Sequence, residues 1–387
     1  MVYPGNDRLF VGGYCLSCLP KMKEINMMLT NNKDCDGTIE QMQNILLGPT
    51  RFMLIGASID LGIYDILREH QEISATELLE KTAVASADSL MQLMQFSIKL
   101  DLVKYENKSD RYSAAELANL SEADYEMLKI FYKFVKEVCL RQVFYLPESL
   151  KTGALVGLKE LFNIDGIFYE TWDEQPSLKK AWSSFMNKFT SLSEGWFYSE
   201  MNIEVNAKVI DLAGNTGLGA TLIQKAHPGK NLHVTSFDFP FKEEETLQFF
   251  IENGMQDRCF FQGGDVFDSV PAGYDVVVIS HFLDMFDKKN VIKILNNVFK
   301  AINANGSLYI LVPIYSENLK DCQSVDFMPA YFLGCTMGQG GPQKLSQYCN
   351  WLQECGFSIE KAEGQRKQDI PALAPLNEGF IHARKIL

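Results

Sequence analysis

The second half of the chain alternates short apolar runs with amphipathic stretches, and the runs end beside small or acidic residues. Val209, Ile210 and Leu212 lead into Ala213 and Gly214. That pattern predicts a buried parallel strand breaking into a tight turn, with residues 217–225 forming the helix that follows. A second run, 232–237, ends at Asp238. A third, at Phe260 and Phe261, is followed by Asp265 and Val266. A fourth, 274–280, ends at Ser280. Residues 291–302 repeat apolar positions at helical spacing, 303–306 read as a turn, and 307–312 as the next strand. Residues 348–355 give a helix stopped by Gly356, and the pieces around Phe357 and Gly379 suit a terminal hairpin. Strands alternating with helices, with acids at their carboxyl ends, predict an α/β fold with a doubly wound sheet that binds its ligand along one edge.

The first half reads as mostly helical. Ile45, Leu46, Phe52, Leu54, Ile55, Ile59, Ile63 and Ile66 keep helical spacing, broken at Gly48, Pro49 and Gly62. Ser74 and Glu77 stand three apart ahead of Leu78 and Leu79, the spacing of a capping box. Leu90, Leu93 and Met94 carry another helix, and residues 102–113 read as a small hairpin. Helices followed by a hairpin predict a winged-helix module. Its candidate recognition helix, 86–100, holds a single base, Lys99, so the module is read as a dimerisation unit rather than a DNA reader. Residues 119–200 are helical and rich in aromatics, among them Phe134, Trp182, Phe185 and Phe189, as suits a core between domains or the wall of a ligand pocket. Four segments are expected: an N-terminal extension (1–38) closing in a polar turn, a winged-helix-like dimerisation domain (39–118), a helical linker and pocket wall (119–200), and a catalytic domain (201–387).

Composition narrows the partners. The 387-residue chain is long enough for two domains and carries a net charge of −13, which argues against nucleic acid. No apolar run reaches the roughly 18 residues that a membrane span needs, and no secretory signal is seen. The nine cysteines are scattered and odd in number, favouring reduced thiols and a cytoplasmic setting. Cys15 and Cys18 form one C-x-x-C without a second pair, and no metal-ligand spacing occurs, so no metal is expected.

The turn after the first strand carries the chemistry. Backbone at a small-residue turn before a helix N-terminus approaches a nucleotide closely, and Asp238 is placed to accept hydrogen bonds from ribose hydroxyls. Gly214, Gly217 and Gly219 lack the G-x-G-x-x-G dinucleotide spacing. The stretch from Asp211 to Gly217 instead resembles the D-x-G-x-G-x-G motif of class I S-adenosylmethionine-dependent methyltransferases, with Ala213 and Asn215 in place of two glycines. From about residue 40 the chain is similar to the small-molecule O-methyltransferase family, which includes plant phenolic and hydroxyindole methyltransferases and bacterial C-methyltransferases acting on bacteriochlorophyll precursors. The resemblance implies a Rossmann-like catalytic domain joined to a winged-helix dimerisation domain. It also implies S-adenosylmethionine as cofactor, a homodimer and a small-molecule methyl acceptor. The cofactor contacts it implies are Asp211, Gly214, Gly217, Asp238, Asp265, Val266 and Ser280, with Met186 and Thr190 near the methionine end.

In that family the segment after the fourth strand reads V-L-H-D-W-x-D, and its His removes a hydroxyl proton. Aligned on Asp284 and Asp287, Leu283 stands at the His position and Met285 at the Trp. Leucine takes no proton, so this reading favours transfer to a thioether sulfur or to carbon, where positioning and desolvation matter most. His281 and Asp284 are the candidates for a relocated base in an O-methyltransferase. Tyr331 lies in 325–341, the stretch implied to cover the acceptor pocket, and is a candidate for positioning the acceptor. A protein that binds S-adenosylmethionine without transferring its methyl group is the further alternative.

Overall fold

The computed structural model describes residues 33–171, 174–364 and 377–386, which fall into two compact units divided after Leu120. Cys15, Cys18 and most of the N-terminal extension lie outside the described residues.

The first unit holds α1 (Lys33–Leu46), α2 (Gly48–Asp60), α3 (Ile63–Glu69), β1 (Ile73–Ser74), α4 (Ala75–Lys81), α5 (Ala87–Lys99), β2 (Val103–Glu106) and β3 (Arg111–Ala114). The strands form a small antiparallel sheet in the order β1-β3-β2. Pro49 starts α2, where its missing N–H would lack a helical partner anyway. Gly62, at φ +68°, turns the chain into α3. The capping box is complete: the Glu77 amide donates to Ser74 Oγ at 3.2 Å, and the Ser74 amide donates to Glu77 Oε2 at 3.0 Å. Ile63, Leu67, Leu78, Leu90 and Met94 are buried. One expectation changes here. The polar turn expected to close the N-terminal extension is already helical from Lys33, because the good helix formers Glu40, Gln41, Met42, Gln43 and Leu46 follow a single Gly37 that weakens a helix by only about 1 kcal/mol.

The second unit begins with α6 (Glu122–Phe134) and, after shorter helical pieces, α7 (Pro176–Leu192). Its sheet contains β4 (Lys208–Leu212), β5 (His233–Asp238), β6 (Cys259–Gly263), β7 (Tyr274–Ser280), β8 (Ile302–Tyr315), β9 (Gln343–Lys344), β10 (Phe357–Gly364) and β11 (Glu378–Lys385). Helices α8 (Leu218–Ala226), α9 (Glu243–Glu252), α10 (Lys288–Ala301) and α11 (Leu345–Glu354) alternate with them. The strand order is β10-β11-β8-β7-β4-β5-β6, with β9 against β8. Strands β4 to β8 pair in parallel, and β11 runs antiparallel to both neighbours. The order reverses at β4, so the carboxyl ends of β4 and β7 flank the crevice where such sheets bind ligands.

Successive residues of each central strand feed opposite faces. Ile210 and Val277 join the core that includes Phe134, Phe185 and Leu295, while Val209 and Val278 join the one with Phe197, Ala220 and Val234. The helical stretch from Ser121 onward packs into the same unit as the sheet. The turn expected at 303–306 is instead inside β8. Opposite it, β7 advances only from Tyr274 to Val276 while β8 advances from Ile302 to Ser307, so the extra residues bulge. A Cβ on Gly306 would lie 2.7 Å from Ile302 and 2.9 Å from the Asp275 carbonyl, which explains the glycine. Among the described residues no helix is long and apolar enough to cross a membrane.

Candidate active site

The loop leaving β4 is built from left-handed residues. Ala213 has φ +56°, Asn215 +50° and Gly217 +83°. For alanine this costs about 1–2 kcal/mol, whereas asparagine tolerates it and here uses its side chain. The Asn215 amide donates to Asp238 Oδ2 at 2.8 Å, its Oδ1 accepts from Lys242 Nζ at 2.7 Å, and its carbonyl accepts from Thr246 Oγ1 at 2.9 Å. A Cβ on Gly214 would fall 2.1 Å from Ser236 Oγ and 3.0 Å from Asp211 Oδ2. A Cβ on Gly217 would fall 2.5 Å from the Phe250 ring. Small residues therefore press this loop against the sheet and α9.

Below the loop is a cavity of about 280 Å³. The strand ends supply Asp211, Gly214, Asp238, Asp265, Val266 and Ser280, α7 supplies Met186, Asn187 and Thr190, and His281 completes one wall. Gly217 does not line it; its part is the packing against Phe250. Burial, and then Asp238, push the Asp211 carboxyl up to about 7, against a hydrogen bond from the Ala220 backbone. Burial also raises Asp238, opposed by the amides of Phe239, at 2.7 Å, and Asn215. Asp265 Oδ1 accepts from the Phe267 amide at 2.8 Å. The buried Lys242 ammonium, lowered by its burial, bonds Asn215 and, at 3.2 Å, Glu245.

A second cavity of about 40 Å³ adjoins the first. The two share Tyr169, Trp182, Met186, His281 and Met285. The far walls are aromatic: Phe134 stacks on Phe185 at 4.1 Å, and Phe185 on Phe189 at 5.8 Å. From 325–341 come Phe327, Met328, Tyr331 and Phe332. Tyr331 accepts from Trp182 Nε1 at 3.0 Å, and burial raises its hydroxyl well above the ordinary tyrosine value.

His281 follows β7 at φ +50°, against the ring of Phe189. Its Nε2 hydrogen-bonds Glu378 Oε1, and its Nδ1 lies 3.3 Å from Ser280 Oγ. Both partners' side chains are 4% exposed. Asp284 lines the second cavity from a tight 3-10 turn, Leu283–Met285. Burial pushes its carboxyl up to about 6, and His281 opposes the shift. Leu283 packs into the core, lining neither cavity. Sequence reasoning missed Glu378, Tyr169 and Lys242. Nothing around Glu378 marks it in the chain, and Lys242 carries no motif; Tyr169 stood only among many aromatics.

The family model for the O-methyltransferase domain matches residues 149–358, and that for the O-methyltransferase dimerisation domain matches 44–122. The chain belongs to the O-methyltransferase family. Among its relatives is the L-tyrosine C(3)-methyltransferase of Streptomyces lavendulae, 22% identical over 90% of this chain and 93% of that protein. The fold matches the mitomycin 7-O-methyltransferase MmcR with a TM-score of 0.74 at 22% identity, covering 90% of this chain and 98% of the other. It also matches human N-acetylserotonin methyltransferase, solved in complex with S-adenosylmethionine, with a TM-score of 0.72 at 18% identity over 92% and 99% of the two chains. The family is one of methyltransferases that use S-adenosylmethionine as methyl donor, and this member carries the dimerisation domain. The larger cavity suits that group: carboxyls at Asp211 and Asp238 offer acceptors to hydroxyls and to positive charge, and residues 213–216 of the loop line the wall.

Proposed function

We propose that this methyltransferase acts on a hydroxyl of a small aromatic acceptor, with His281 as the proton acceptor and a homodimer as the assembled form. His281, on the wall common to both cavities and hydrogen-bonded to the buried Glu378 behind it, carries this reading. An aliphatic residue at Leu283 argues against hydroxyl chemistry only if that position reaches the reacting atoms, and Leu283 lines neither cavity. With Glu378 accepting from Nε2–H, the imidazole keeps its lone pair on Nδ1, beside Ser280 Oγ. A proton leaving the acceptor passes to Nδ1, and Glu378 stabilises the imidazolium that results. Asp238 and Asp265 would hold the ribose and adenine of the cofactor, Asp211, Gly214, Val266 and Ser280 its surroundings, and Met186 and Thr190 its methionine end. When bound, S-adenosylmethionine supplies an electrophilic methyl group on a cationic sulfur. Water-poor aromatic walls keep that centre from hydrolysis.

Transfer to a ring carbon is the second reading, favoured by the relative named for C-methylation of tyrosine. Removing a phenolic proton also makes the ring carbon beside the oxygen electron-rich, so the same base serves. The test is product analysis with a phenol panel: O-methyl products that depend on His281 support the first reading, and ring-methyl products the second. Turnover of thioethers alone would overturn both.

A further inference from the structure

The second cavity contains a carboxylate oxygen without a donor. Asp284 is 4% exposed and its Oδ1 has no hydrogen-bond partner among the described residues. A buried carboxylate oxygen left without a donor is costly, and native structures seldom leave one so without a ligand or water to meet it. Within the fold, the carboxyl is relieved only in part: His281 and its own backbone amide favour the ionised form, and burial outweighs them. Glu378 adds like charge, His281 is already engaged by Glu378, and the residues lining this cavity include no lysine or arginine. Of the other polar groups in this lining, Trp182 Nε1 donates to Tyr331, and the Tyr169 hydroxyl donates to Met285 Sδ at 3.9 Å. Meanwhile Gly341 N donates to the Asp284 carbonyl at 2.7 Å, which ties the backbone of this turn in place.

We propose that Asp284 is a specificity-determining residue, and that the acceptor carries an amino group, neutral or protonated, which reaches into the smaller cavity and donates to Oδ1 while the aromatic ring lies at the junction with the larger one, beside Tyr169, Trp182 and Met186. The inference rests on the hydroxyl-acceptor reading and adds the substrate class: hydroxylated aromatic amines. Acceptors bearing a carboxylate are disfavoured, because no cation in the cavity wall meets them and two carboxyls, Asp284 and Glu378, repel them. A methyl group in place of the amino group fills the same space but leaves Oδ1 unpaired. A charge-assisted hydrogen bond in a dry site corresponds to about tenfold in affinity or more.

The experiment uses the full chain saturated with S-adenosylhomocysteine, and reads binding of aminophenols, the matching cresols and the matching hydroxybenzoates by calorimetry. Binding does not require turnover, so it separates recognition from chemistry. The expected order is aminophenol, then cresol by a factor of about ten, then hydroxybenzoate. In Asp284→Asn the first gap closes to within about threefold and hydroxybenzoate binding improves, while unchanged affinity for S-adenosylhomocysteine, measured beforehand in a separate titration of the free protein, shows that the variant is folded. Cresols binding as tightly as aminophenols to the native protein, or a preference that survives in Asp284→Asn, would overturn the inference without touching the hydroxyl reading. Failure of every phenol to bind would overturn both.

Discussion

Glu378, the first residue of β11, hydrogen-bonds His281 at the end of β7, across 97 residues of sequence and with β8 between their strands. The antiparallel β11 thus brings a carboxylate to a sheet edge whose other acids sit at the ends of parallel strands. Glu378 is a positioning residue: it holds the imidazole in one tautomer and balances the charge formed when Nδ1 takes a proton. Glu378→Gln is expected to lower kcat by about 10- to 100-fold while leaving the affinity for S-adenosylhomocysteine within about twofold. Losing the carboxylate removes the partner of the imidazolium formed on proton transfer, so the loss falls on kcat while the KM for the acceptor stays within about twofold. A rise in KM with kcat unchanged would mean that Glu378 has only a structural role.

Gly217 tests the packing of the cofactor loop. At φ +83° and with a Cβ destined to lie 2.5 Å from Phe250, Gly217→Ala is expected to destabilise the unit by about 2 kcal/mol or more. Ala213→Gly, which relieves a left-handed alanine, changes stability by less than about 1 kcal/mol, because relief of strain is offset by the freedom glycine has when unfolded. Thermal unfolding of the two variants should separate them; equal melting temperatures would contradict the account.

Asn215 occupies a glycine position of the motif yet has its own bond to the buried Lys242 ammonium. Asn215→Gly removes that acceptor from the buried Lys242 ammonium. The expected loss is about 1–2 kcal/mol of stability by denaturant unfolding, together with weaker cofactor binding. A stabilised variant would show that the side chain is merely tolerated there.

Asp211 sets a pH dependence. Its carboxyl is raised to about 7 by burial and by Asp238. A cationic ligand favours the ionised form, so below pH 7 binding must expel a proton. Affinity for S-adenosylmethionine is expected to fall by up to about tenfold between pH 8 and pH 6, with proton release measurable by calorimetry in buffers of different ionisation enthalpy. Asp211→Asn should flatten the dependence. A flat profile in the native protein would contradict the assignment.

Much of this architecture was legible in the chain. The runs ending at Leu212, Asp238 and Ser280 became β4, β5 and β7, and the capping box at Ser74 and Glu77 formed as its spacing requires. These are local patterns, set by neighbours a few residues away. Two things were not legible. The bulge in β8 depends on register against β7, so the Asn-rich stretch before Ser307 looked like a turn. And aligning the chemistry on Asp284 and Asp287 put weight on Leu283, although the 3-10 turn directs that residue to the core. The partner that makes His281 interesting comes from the far end of the chain, where no spacing rule links the two. Asp284 could be singled out from sequence, but its missing donor could not, because an unpaired atom is visible only when all its neighbours are known.

The most direct measurement is methyl transfer from labelled S-adenosylmethionine to phenolic and thioether acceptors by the native protein and by His281→Ala, with S-adenosylhomocysteine affinity measured on both. The account predicts methylated phenols from the native protein, a fall in turnover of about 10²- to 10⁴-fold in the variant, and cofactor affinity preserved within about threefold. Undiminished turnover in His281→Ala, or methylation of thioethers alone, would contradict it.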